Sequence, residues 1–119
     1  MNLATAEFRQ GETDAASAHG GEALRLVVEL GELDLVAQCL ELIAMMGRDA
    51  GVSAQLLGVA AALRAKVEAE PNATERAVLE TAAANLRENL GGAVFEVART
   101  EGLALSTEAA VELAHRSLS

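Results

Sequence analysis

The sequence predicts an all-α fold, built as antiparallel helical hairpins stacked into a solenoid fragment of about six or seven helices. Three observations lead there. Alanine is abundant, proline occurs once, and tyrosine and tryptophan are missing, a composition that favours helix and disfavours strand. Apolar residues recur at helical spacing through most of the chain. Glycines and the one proline divide these stretches at short intervals, and short connections force consecutive helices into antiparallel hairpins.

The first stretch, Asn2 to Gln10, is expected to form a short helix ending at Gly11 and carrying Leu3, Ala4, Ala6 and Phe8. The second helix is expected from about Thr13 to Leu30, with Ala16, Gly20, Ala23, Leu24, Val27 and Val28 on one face. Gly20 and Gly21 each cost about 1 kcal/mol inside a helix, which close approach by a neighbouring helix would offset. Gly31 follows as the terminating residue. The third helix, about Leu33 to Met46, has its polar residues Asp34, Gln38 and Glu41 in one narrow stripe. A helix apolar on most other sides must be covered there, so this segment is expected at the centre.

The fourth helix should follow Gly51 to about Ala69, burying Val52, Leu56, Val59, Ala60, Leu63 and Val67 before Pro71. The fifth opens on Asn72 with Glu75 three residues later, the capping-box spacing. Its expected buried face is Val78, Leu79, Ala82, Leu86 and Leu90, and Gly91-Gly92 ends it. A short helix with Val94, Phe95 and Ala98 runs to Gly102. Ser106 then caps a last helix that places Glu108 in its first turn and turns Ala110, Val111, Ala114 and Leu118 inward. The chain of 119 residues reads as one helical-repeat domain, with hairpins over 1–70 and capping helices over 71–119.

The net charge of -9, with nine scattered Lys and Arg, argues against direct nucleic-acid binding and against an anionic membrane surface. The lone Cys39 cannot form an internal disulfide and reads as a small buried hydrophobe. No signal peptide and no apolar run of spanning length is visible, so a cytoplasmic location is expected.

Catalytic and metal motifs are missing. His19 and His115 lie near opposite ends without the paired ligands that zinc needs, and His115 reads as a surface group in the last helical turn. The many carboxylates read as a solvated face with helix pairs such as Glu22 and Arg25. Ser53 and Ser106 read as helix-start residues. Met46 reads as core filling, whereas Met45 extends the polar stripe and fits either core or surface. No cofactor, metal or enzymatic activity is expected.

Gly11 and Ala23 match the spacing of a small-residue pair in tetratricopeptide (TPR) repeats, and a looser copy would run from about Leu33 to Val67. The segment Leu56-Leu57-Gly58-Val59-Ala60-Ala61-Ala62-Leu63-Arg64 is more specific. With Pro71, Glu75-Arg76, Leu90-Gly91, Phe95, Glu101-Gly102 and Leu105 to Ala110 it resembles the C-terminal TPR-like tail of large multidomain bacterial regulators. Those regulators join a nucleotide-binding switch domain to helical repeats, often with a LuxR-type DNA-binding or a cyclase domain. The resemblance covers roughly residues 12 to 118, with Arg99 where the family often has Trp. It implies a non-enzymatic protein–protein interaction or scaffolding module of a regulatory protein. Its partner would be another protein or other domains of a parent regulator. The candidate protein-binding groove is lined by Asp34, Gln38, Glu41 and Met45. Self-association as a homodimer is the alternative, and a small helical ligand-binding bundle is a third.

Overall fold

The computed structural model describes residues 18–118, and among these are six α-helices and no strand. Helix α1 covers 18–30, α2 Leu33–Met46, α3 Ala50–Val67, α4 Ala73–Leu90, α5 Gly92–Leu103 and α6 Thr107–Ser117. The expected helix from Asn2 to Gln10, its stop at Gly11, and Thr13 and Ala16 lie outside the described residues.

Most boundaries follow from local chemistry. Gly31 ends α1 in the left-handed region, φ 72°. Its N–H donates to the Val28 carbonyl and the Glu32 N–H to the Val27 carbonyl, satisfying groups that a helix end leaves open. Asp49 caps α3 by accepting from the Val52 N–H at 3.1 Å. Ser53, expected at a helix start, instead lies inside α3, where its buried hydroxyl donates to the Ala44 carbonyl at 2.7 Å. That bond ties α3 to the end of α2. Glu68 ends α3 by adopting the left-handed conformation, and the Ala69 N–H returns to the Arg64 carbonyl. The capping box of α4 is complete between Asn72 and Glu75, and the Ser106 hydroxyl accepts from the Ala109 N–H to start α6.

The centre of the molecule is α3, not α2. Helix α3 packs along α2 on one side and α5 on the other, and it also touches α4 and α6. The main core joins Leu24 of α1, Val36, Leu40 and Ile43 of α2, Leu56, Val59 and Leu63 of α3, and Ala110 and Ala114 of α6. Phe95 and Ala98 of α5 form a second cluster with Ala54 of α3, with Leu86 and Leu90 of α4 against it. Helix α2 is less covered than expected: Leu35, Leu42 and Met45 stay exposed although the sequence suggested cover on most sides. The apolar stripe of α2 faces α3, and nothing among the described residues covers the opposite face. Cys39 is partly buried against the main core, and its desolvation pushes the thiol pKa up.

The glycine pair of α1 does admit neighbours. A Cβ on Gly20 would lie 3.0 Å from the Met46 side-chain end, and one on Gly21 would lie 3.5 Å from His115 Nδ1. His115 is therefore partly buried against α1 rather than a surface group. Helix α6 thus returns across α1, α2 and α3, so the hairpins do not simply succeed one another as in an open stack. Val67, expected in the core, is exposed beyond the packed part of α3.

The fifth predicted helix, α4, is displaced from the body. Leu79, Ala82, Leu86 and Leu90 do face inward, but only partly buried, and Val78 is exposed. No residue of α4 is fully buried. The helix touches α3 and α5 along a narrow seam, which leaves an open cleft on each of its sides.

Candidate protein-binding site

Helix α4 is held by Ala83, Leu86 and Leu90 packed against the Phe95 cluster and, at its N-terminus, by an ionic clasp. Arg64, near the end of α3, is buried, and its guanidinium spreads donors over three segments. Nε donates to Glu41 Oε2 at 2.7 Å and Nη2 to Glu41 Oε1 at 2.8 Å, a two-pronged pairing with α2. Nη1 donates to the Ala69 carbonyl at 3.0 Å, and Nη2 also reaches Glu75 Oε2 of α4 at 3.1 Å. Both members of the Arg64–Glu41 pair are withdrawn from water, with side chains 7% and 8% exposed. The hydrogen bonds that Arg64 donates to Glu41 hold the guanidinium still more firmly in its charged form. The Glu75 carboxyl is held below its usual pKa, first by the Asn72 backbone N–H and then by Arg64. A planar donor fork satisfied this fully fixes the relative placement of three helices, α2, α3 and α4.

Beside the clasp, α2 and α4 run in the same direction and form the walls of a cleft of about 210 Å³. Gln38, Glu41, Leu42 and Met45 line one wall, and Thr74, Glu75, Val78 and Leu79 the other. At Met45 and Val78 it continues into a larger space of about 570 Å³, bounded by Ala44 and Arg48 on one side and Thr81, Asn85 and Leu86 on the other. Leu42, Met45 and Val78 are 58%, 41% and 47% exposed, so the walls present apolar surface to solvent. The carboxylates in this lining, Glu41 and Glu75, are both engaged by Arg64, which leaves Arg48 as the charged group not so committed.

Three of the four residues read from the sequence therefore line this cleft: Gln38, Glu41 and Met45. Glu41 serves it as a buried strut rather than as an open contact. Asp34 is not part of the lining and sits in the first turn of α2, where a carboxylate favours the helix dipole. Sequence reasoning missed the opposite wall, Thr74, Val78 and Leu79, because Val78 and Leu79 carry the same periodic signal as core residues. It also missed Arg64, whose role needs the pairing geometry. The expected surface pair Glu22 and Arg25 does not form; among the described residues the ion pairs are Arg64 with Glu41 and Glu75, Arg76 with Glu70, and Arg87 with Glu96.

Among the described residues no three His, Cys, Asp or Glu side chains are grouped to hold a metal ion, and no helix is long and apolar enough to cross a membrane. Comparison with known proteins finds no matching family model, no matching curated protein and no matching solved structure.

Proposed function

We propose that this chain is a non-enzymatic protein–protein interaction module that takes a partner in the cleft between α2 and α4. The observation that carries the reading is the pair of exposed apolar walls, Leu42 and Met45 opposite Val78, held apart by the Arg64 clasp. Interface centres are depleted of charge and enriched in methionine and large apolar groups, and this lining shares those traits. A clasp that fixes the walls in advance lowers the ordering cost of binding. The order of motifs from Leu56 to Ala110 supports a place within a larger bacterial regulator, with the partner either another protein or a neighbouring domain.

A photo-crosslinking residue at Met45, in the full-length protein expressed in its native host, tests the reading. The expected result is a discrete protein adduct at Met45 that disappears in the Val78→Glu background and does not form from Glu108 on α6. Equal crosslinking from Met45 and Glu108, or adducts indifferent to Val78→Glu, would overturn it.

Self-association is the second reading, favoured by Val94 and Val97, exposed at 55% and 58% on α5. Light scattering of the wild type and of Val97→Glu separates the two readings, because only a homodimer through α5 dissociates with that change.

A further inference from the structure

The cleft on the other side of α4 has a different chemistry. Between α3, α4 and α5 lies a space of about 420 Å³ whose apolar lining includes Leu57, Ala61, Leu79, Ala83 and Phe95. Its volume falls in the range of small-molecule sites, which are mostly apolar with a few polar groups that fix orientation. Arg99 of α5 is in the wall. The other charged lining groups are accounted for. Arg64 and Glu41 hold each other, Arg76 lies 3.9 Å from Glu70 with both well exposed, and Glu80 stands exposed at the rim.

Arg99 is partly buried, and among the described residues its guanidinium has no hydrogen-bond or ion-pair partner. This is notable in a chain with twice as many acidic as basic residues, 18 against 9. A guanidinium carries five donors and cannot be deprotonated. None of the Arg99 nitrogens is buried without a partner, so its donors face solvent and are open to an anionic ligand. A carboxylate matches that fork with two parallel hydrogen bonds. An aromatic or aliphatic body attached to the carboxylate would cover the apolar wall beside Phe95.

We propose that this second cleft binds a small organic acid, its carboxylate on Arg99 and its apolar body against Leu57, Ala61, Ala83 and Phe95. The proposal turns on Arg99 and Phe95, which line neither of the other two spaces, although Glu41, Leu57 and Leu79 are shared with them. The test titrates naphthoate and its uncharged counterpart naphthamide into the isotope-labelled full chain and follows backbone amide shifts. Naphthoate is expected to give saturable shifts at Ala61, Ala83 and Arg99, and naphthamide to bind about tenfold more weakly or worse. Arg99→Gln is expected to remove that preference, and Arg99→Lys to keep part of it. If Arg99→Gln proves unfolded by circular dichroism, the Arg99→Lys and naphthamide comparisons still decide. Equal affinity for the two compounds, undiminished binding to folded Arg99→Gln, or shifts centred on Leu42 and Val78 instead would each overturn the proposal.

Discussion

Gly58 of α3 and Gly102 of α5 meet where the two helices cross: a Cβ placed on Gly58 would lie 3.3 Å from the Gly102 Cα. The same atom would collide with the Arg99 carbonyl, and a Cβ on Gly102 would collide with that of Gln55. Both obstacles are backbone, which cannot rotate aside. The Gln55 amide adds a bond to Glu101 Oε2 at 2.9 Å beside this crossing.

Alanine at either glycine is therefore expected to destabilise, although alanine is the better helix former by about 1 kcal/mol. Forcing the helices apart should outweigh that gain and lower stability by about 2 kcal/mol. Gly92, with open space around it, serves as the control, and alanine there should be neutral or stabilising. Urea unfolding of the three single variants checks this. The Gly58→Ala/Gly102→Ala double variant should cost less than the two single changes together, because helices already separated by the first methyl accommodate the second.

The Arg64–Glu41 pair invites a different comparison. Removing one member leaves the other buried and charged without its counterion, which costs about 3–5 kcal/mol. Arg64→Met should show a loss of that size in urea unfolding. Adding Glu41→Leu should restore most of it, since apolar replacements of a buried pair are often neutral or better. If the double variant is as unstable as Arg64→Met, the loss stems from the Ala69 and Glu75 contacts rather than from a stranded carboxylate.

Several of these features are legible in the sequence, and the reasons differ for those that are not. The end of α1 and the starts of α4 and α6 follow from Gly31, Asn72 with Glu75, and Ser106, because capping depends on neighbours a few residues away. The identity of the central helix does not follow. Helix α2 looked central because its polar residues Asp34, Gln38 and Glu41 fall in one narrow stripe, whereas α3 carries Ser53, Gln55 and Arg64. Each of those polar groups is bonded to a distant partner, Ala44, Glu101 or Glu41, so α3 can be enclosed and α2 need not be. Periodicity gave the inward direction of Leu79, Leu86 and Leu90 but not their depth, which depends on how closely α4 approaches α3. The stripe from Gln38 to Met45 was visible for the same local reason, and its facing wall on α4 was not.

Glu75 makes stability depend on pH. Its pKa in the folded chain is below the ordinary value of 4.5, through the Asn72 N–H and Arg64. A depressed carboxylate contributes stability that is fully present above the unfolded-state pKa and is lost as pH falls through the folded-state value. Arg64 stays charged throughout, so the carboxylate sets the window. The difference in urea midpoint between wild type and Glu75→Gln should be constant near neutral pH and shrink below 4.5. A difference that persists undiminished into strong acid would show that Glu75 acts through packing rather than charge.

The thin attachment of α4 predicts where the fold opens first. Local opening is easiest where few apolar groups are buried, and α4 has no fully buried residue while α3 has eight. Besides the partly buried seam of Ala83, Leu86 and Leu90, its polar attachments are the Arg64 clasp at one end and, at the other, the exposed Arg87–Glu96 pair with Arg87 stacked 4.9 Å from the Phe95 ring centre. Exposed pairs are worth little, so the clasp carries more of the hold. In native-state hydrogen exchange, amides of α4 should exchange well before those of α3, and as a group rather than from one end. Arg64→Met should speed α4 further than it speeds α2, because it unpins the helix as well as weakening the whole fold. Protection in α4 equal to that in α3 would mean that α4 opens only with the whole molecule, and that the clefts on its two sides are cut into a rigid body rather than set by a separately held helix.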